Sequence, residues 1–147
     1  EDFQQHISDV DASVKAAEQR ITQINSELST QKIIQKHCDS YRLCRKVIED
    51  CKSAKNLKAY RTKHQAEYQL HDSLKKELQD LGVTKIPSSN KIQKQIENLE
   101  SEQTSTVREK QELQKKLKTL EIIQQNFTAL LNAPEIQIPV SEKEPTL

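Results

Sequence analysis

Residues 88–131 read SSNKIQKQIENLESEQTSTVREKQELQKKLKTLEIIQQNFTALL and contain neither glycine nor proline, so they predict one uninterrupted helix. Their apolar residues alternate in steps of three and four, the heptad spacing of a coiled-coil seam. The apolar seam positions are Ile92, Ile96, Leu99, Leu113, Leu117, Leu120, Phe127 and Leu131, and the register passes through Gln103, Thr106, Lys110 and Gln124 in a polar middle. A helix of this length spans roughly 65 Å at 1.5 Å per residue. It therefore needs a long partner rather than the interior of a compact globule.

A second seam at the start of the chain supplies a partner of the right kind. It keeps a strict heptad through Phe3, Ile7, Val10, Val14, Ala17, Ile21, Ile24 and Leu28. Beyond Leu28 the apolar face broadens toward Cys51, which indicates more than one neighbour. No helix-breaking residue interrupts this region, so a single helix over residues 2–52 is predicted.

Glycine and proline residues delimit the remaining predicted elements. A shorter helix is predicted over 56–81, where Gly82 is placed to end it in a left-handed C-cap. Pro87 favours an extended connector before the helix over 89–131, because the residue before a proline avoids helical geometry. Residues 132–147 contain three prolines and no seam, which predicts an extended or disordered tail. Residues 1–131 are expected to form a single elongated helical domain.

The helix lengths favour one arrangement and leave others open. The predicted fold is all-α, a long antiparallel coiled-coil-like helical hairpin, with the short third helix packed at one end near residues 38–51 and 92–99. Three helices running up, down and up as a bundle would also fit the pattern. So would seams that pair between two chains as a homodimer.

The composition agrees with thin helical packing. Of 147 residues, 33% are hydrophobic and 31% charged, with one glycine and few aromatics, whereas sheet sandwiches and barrels need aromatic and β-branched alternation with frequent turns. No window is apolar enough for a membrane span, so no membrane insertion and a cytoplasmic location are predicted. The absence of an initiator Met suggests a segment of a longer polypeptide.

Positive charge is concentrated in one band of the sequence. Residues 1–31 carry a net charge of −4, residues 32–63 of +7 and residues 64–147 of −2. Such a band can contact phosphates, and the tyrosines within or beside it can stack on bases, although core tyrosines on a solvated basic face would give the same pattern. The candidate residues for contact with DNA or a partner protein are Arg42, Arg45, Lys46, Lys55, Lys58 and Arg61.

Neither metal chemistry nor catalysis is predicted. Cys38, Cys44 and Cys51 lack the close pair of a zinc site, and His64 and His71 are seven residues apart rather than the four of the helical zinc signature. One glycine cannot form a glycine-rich phosphate loop, and no triad of catalytic residues has a rigid scaffold. We expect no catalytic residues, no metal site and no cofactor in this chain.

A series of short motifs resembles the C-terminal region of bacterial relaxases, the mobilisation nucleases of conjugative and mobilisable elements. The series is a YR pair, a helix bearing H and LH, an LG turn, a K-x-P connector and a long Lys/Glu-rich helix. The matching positions are Tyr60, Arg61, His64, Leu70, His71, Leu81, Gly82, Lys85 and Pro87, within a resemblance that covers about residues 19–131.

The resemblance implies a piece of a DNA-processing enzyme. Relaxases nick one DNA strand with an N-terminal domain that carries a nucleophilic tyrosine and a histidine-bound metal, and that histidine signature is absent here. The implied role is a non-catalytic accessory domain that acts in relaxosome assembly or DNA contact, with DNA, relaxosome proteins or the coupling protein as partners. A generic coiled-coil dimerisation or spacer module of a larger intracellular protein is the rival interpretation.

Overall fold

The computed structural model describes residues 2–132, which form four α-helices joined by short turns and contain no strand. The helices are α1 (Asp2–Asp50), α2 (Leu57–Lys63), α3 (Gln65–Asp80) and α4 (Ser89–Asn132). The all-α class is therefore confirmed. No helix among these residues has a stretch long and apolar enough to cross a membrane. Asn132 ends α4, and the rest of the predicted tail, residues 133–147, lies outside the described residues.

The first predicted helix ends slightly earlier than expected. After α1 stops at Asp50, the chain tightens into a 3-10 turn over Cys51–Ser53. The backbone N–H of Ala54 donates to the Cys51 carbonyl at 3.1 Å, and Ala54 itself is extended. This turn directs the chain out of α1 and into α2.

Where one helix is predicted over 56–81, the structure has two. The break lies at His64, whose backbone leaves helical geometry at φ −107° and ψ 27°. Its ring packs on Tyr60 with centroids 4.3 Å apart, and its Nδ1 lies 3.3 Å from the Glu67 carboxylate. No glycine or proline marks this position, so the sequence carries no breaker signal there.

Gly82 ends α3 as the sequence predicts. Its φ of +86° is in the left-handed region, which glycine adopts without the steric penalty of a Cβ. The Val83 N–H donates to the Leu78 carbonyl at 2.8 Å and the Gly82 N–H to that of Gln79 at 3.0 Å, the hydrogen-bond pattern of a Schellman motif. Val83 also packs against the core that contains Leu78.

The described residues divide into two compact units, one formed by residues 2–19 with 107–132 and the other by Arg20–Thr106. The second, hereafter the central unit, has a core to which three helices contribute. Its buried residues are Ile24, Leu28, Ile34, Cys38, Tyr41 and Cys44 of α1, Leu74 and Leu78 of α3, and Ile92 and Ile96 of α4. The broad face predicted beyond Leu28 therefore contacts α3 as well as α4.

Within the central unit, α1 and α4 run in opposite directions. Residues later in α1 contact residues earlier in α4: Gln35 donates to Gln93 at 2.8 Å, Lys32 pairs with Glu100 at 3.8 Å, and Asn25 accepts from Gln103 at 2.5 Å. Ile92 and Ile96 are buried on the seam, and Leu99 is half-buried. The heptad register of this part of the seam thus predicts which residues of α4 are covered.

The other compact unit is built on the start of α1 and the second half of α4. On α1, Val10, Val14 and Ala17 are buried and Ile7 is half-buried. On α4, the seam leucines 113, 117 and 120 are all half-buried. Lys110, a polar seam position, pairs with Glu18 at 3.4 Å. A polar seam residue can lie at a helix contact when its partner on the other helix is also polar.

Candidate nucleic-acid interface

The six predicted contact residues fall into two groups that differ in their position along the chain. Arg42, Arg45 and Lys46 lie on the last two turns of α1 or just before them. Lys55 precedes α2, and Lys58 and Arg61 lie on it. All are in the central unit, so the structure brings the basic band into one compact part of the molecule.

Arg42 forms hydrogen bonds to residues of α1, of α4 and of the connector before α4. Its guanidinium donates to the Pro87 carbonyl, to the Ser89 hydroxyl at 3.1 Å and to the Asp39 carboxylate at 3.2 Å. These contacts fasten the connector between α3 and α4 to α1. Because the planar guanidinium offers five donors in a fixed fork, one arginine can serve all three acceptors. Most of its donors are therefore committed within the chain.

Arg45 is also paired, but on the surface. Its Nε lies 3.3 Å from the Glu49 carboxylate, one helical turn away, and its Nη1 lies 3.4 Å from the Tyr41 hydroxyl. Tyr41 and Glu49 raise the pKa of Arg45. An exposed pair of this kind contributes little to stability. Glu49 also partly neutralises the positive charge of Arg45.

Helix α2 is held in place by polar bonds and buries none of its residues. The Asn56 side chain caps it by accepting the Ala59 N–H at 3.1 Å. The Tyr60 hydroxyl donates to the Val47 carbonyl at 2.7 Å and so ties α2 to α1. Leu57, the first residue of α2, is 55% exposed. The outer surface of α2 is consequently open, with Lys58 and Arg61 exposed on it.

The tyrosines beside the basic band are structural in this arrangement. Tyr41 is buried and stacks on His71 with centroids 4.6 Å apart. The Tyr68 hydroxyl is buried, and interaction with the Cys51 thiol together with burial raises the pKa of Tyr68. The guanidinium of Arg61 lies 5.5 Å from the centroid of the Tyr68 ring. Base stacking on these rings would require them to leave their present contacts.

Three of the four histidines pair individually with carboxylates. His37 lies 3.1 Å from Glu77, which joins α1 to α3, while His64 and His71 each lie 3.3 Å from a nearby acid, Glu67 and Asp72. Across residues 2–132, no group of three or more His, Cys, Asp or Glu side chains could hold a metal ion. His64 and His71, seven residues apart, thus contact different carboxylates and do not share one metal site.

The three cysteines are buried free thiols. Cys38 and Cys44 belong to the core of the central unit. Burial raises the pKa of both thiols. Since the thiolate is the nucleophile and metal ligand, a raised pKa favours the inert thiol.

An apolar patch lies in the other compact unit, at the end of α4. The side chain of Phe127 is 60% exposed, that of Leu130 73% and that of Leu131 69%. Phe3 and Ile123 line a shallow groove together with Phe127 and Leu131. Phe127 and Leu131 are seam positions, so the register continues beyond the covered part of the seam.

Neither a family model, nor a curated protein, nor a solved structure matches this chain. The relaxase resemblance therefore rests on the short motifs alone. Four of the motif residues lie at helix ends or at contacts between elements of the central unit. The Tyr60 hydroxyl bonds α2 to α1, His64 lies between α2 and α3, Gly82 ends α3, and the Pro87 carbonyl accepts from Arg42. These residues determine how the helices of the unit connect.

The structure draws attention to two further basic residues in the same segment. Lys52 lies in the 3-10 turn and Lys63 at the end of α2, and both are exposed. Sequence reasoning placed them in the basic band but did not select them. The available signal was the charge pattern, since residues 51–66 contain five basic residues and no acidic one. The roles of Asn56 and Tyr60 in fixing α2 had no comparable signal.

Proposed function

We propose that this chain is a non-catalytic helical accessory domain of a conjugative relaxase, which acts in relaxosome assembly or DNA contact. The observation that carries the proposal is that residues of the relaxase-like motifs lie at the helix ends and interhelical contacts of the central unit. Motifs that fix how helices connect would keep their order in any chain that builds the same unit. The mobilisation role is what the resemblance implies for such a chain.

The proposed architecture is an antiparallel coiled-coil-like pairing of α1 and α4, with α2 and α3 packed beside it in the central unit. The opposite order of the contacts Gln35 to Gln93 and Asn25 to Gln103 supports this pairing. Apolar heptad positions buried on both helices of the central unit support it as well. The pairing would give the basic residues near the end of α1 and on α2 a rigid support.

The proposed mechanism of DNA contact is electrostatic. Lysine and arginine side chains displace counterions from phosphates, which gives affinity without reading the base sequence. Arg45, Lys46, Lys55, Lys58 and Arg61 are exposed, whereas Arg42 is half-buried. The domain would thereby add affinity to a nuclease that selects the site by other contacts.

A salt titration tests this mechanism. We expect the chain to bind a short DNA, and its affinity to fall as NaCl rises from about 50 to 200 mM, because each phosphate contact adds about 0.9 to the salt slope on duplex DNA. Fluorescence anisotropy measures the affinity, and supercoiled plasmid bearing a transfer origin should remain unnicked. Arg45→Glu/Lys46→Glu should weaken binding without loss of helix content. Affinity that neither falls with salt nor responds to this charge reversal would contradict DNA contact.

A second candidate function is a dimerisation or spacer module. The exposed seam residues Phe127 and Leu131 favour it, because exposed contiguous apolar patches often mark contact sites. Its dimerisation form predicts a stable dimer at micromolar concentration by light scattering, and the accessory-domain proposal requires only one chain. A monomer would remove dimerisation.

A further inference from the structure

The acid-free segment between Cys51 and Ala66 carries a distinct set of cations. We name Lys52, Lys55, Lys58, Arg61 and Lys63 the cationic strip, and all five are exposed. The segment includes the 3-10 turn and the whole of α2. The nearest acidic residues in sequence are Asp50 before it and Glu67 after it.

The strip differs from Arg42 and Arg45 of α1 in that its charges are unpaired. Arg42 and Arg45 have carboxylate partners in Asp39 and Glu49. Among residues 2–132, no member of the strip forms an ion pair with an acidic side chain. Arg61 contacts the ring of Tyr68, which orients its guanidinium without neutralising it. The strip therefore keeps its full charge for a partner.

Hydrogen bonds hold α2, the helix within the strip, in place. The Asn56 cap fixes the start of α2, and the bond from Tyr60 to the Val47 carbonyl fixes its orientation on α1. Lys58 and Arg61 are three residues apart and share a helix face, whereas Tyr60 points elsewhere. Burial raises the pKa of Tyr60, and the negative charges of Asp50 and Glu67 raise it further. Glu67 is in turn paired with His64.

We propose that the cationic strip is the surface that contacts a run of phosphodiester groups of a nucleic acid. This assignment rests on the proposed function and adds Lys52 and Lys63 to the contact set, while it assigns Arg42 to the connector. Four of the five residues are lysines, which act as point charges on phosphates rather than as bidentate readers of bases. The strip contacts the backbone of either a duplex or a single strand, since both carry the same groups.

A charge-matched pair of variants tests the assignment. Lys55→Gln/Lys58→Gln removes two charges from the strip, and the control Lys75→Gln/Lys76→Gln removes two from exposed positions of α3. We expect the strip variant to lose roughly tenfold to a hundredfold in affinity near 0.1 M NaCl and to lower the salt slope by about two. The control should stay within about twofold and keep the slope, since lysines that touch no phosphate release no counterions.

The probes are a short labelled duplex and its single strand, each also with a scrambled sequence. Equal losses on original and scrambled probes support backbone contact, and the probe with the larger loss identifies the source of the phosphates. If wild-type protein binds but the two variants lose affinity equally, the strip assignment is overturned while DNA contact stands. If wild-type protein binds neither probe at low salt, both the strip assignment and DNA contact fail. Circular dichroism confirms that the variants keep their helices.

Discussion

Leu78→Ala lowers the free energy of unfolding by about 2–5 kcal/mol, the cost of removing a buried leucine and leaving a cavity. Leu78 lies on α3 and is 1% exposed, in the core where α1, α3 and α4 meet. Its carbonyl also accepts the Val83 N–H of the turn that ends α3. The side chain therefore contributes to a core that three helices share. Urea unfolding followed by circular dichroism measures the loss.

The matched control is Leu43→Ala on α1. Leu43 is 69% exposed, so the same chemical change removes little buried area. We expect an effect within about 0.5 kcal/mol, which is usual for surface substitutions. Equal destabilisation by the two variants would mean that the face of α1 bearing Leu43 is covered in solution, which the described packing does not allow.

Arg42→Ala destabilises the connector between α3 and α4 by about 1.5–3 kcal/mol, since hydrogen bonds from a charged group are lost together. The Pro87 carbonyl and the Ser89 hydroxyl lose their donor, and Asp39 loses its cation. Faster amide hydrogen exchange near the start of α4 should accompany the loss of stability.

The control for Arg42 is Arg45→Ala, three residues along the same helix. Arg45 bonds only to Tyr41 and Glu49 on α1 itself, so its loss leaves the connector intact. A loss of stability clearly smaller than that of Arg42→Ala and unaltered exchange in the connector are expected. If the two arginine variants behave alike, Arg42 does not fasten the connector.

Periodicity was sufficient to predict the long helices and much of their buried face. Ile24, Leu28, Ile92 and Ile96 all occupy predicted seam positions and are buried. Such positions follow from sequence because a regular helix converts spacing directly into direction around its axis. Gly82 was predictable for a related reason, since its lack of a Cβ suits a backbone with positive φ.

Features that depend on contacts between distant residues were not predictable. The break at His64 involves its packing on Tyr60 and its pairing with Glu67, none of which is a helix breaker by composition. The role of Arg42 depends on a carbonyl far along the chain, at Pro87. In sequence it resembles Arg45, and only the folded chain separates a structural arginine from a surface one.

Zero-length carbodiimide cross-linking tests most directly the central claim, that α1 and α4 pair within one chain. The Lys32 Nζ lies 3.8 Å from the Glu100 carboxylate, and both side chains are accessible to the reagent. Natural-abundance and heavy-nitrogen proteins are unfolded together, refolded, cross-linked and analysed by mass spectrometry, with Lys32→Gln as the control that loses the link. We predict linked peptides of a single isotope only. Linked peptides that combine both isotopes would show that the helices pair between chains and would contradict the account.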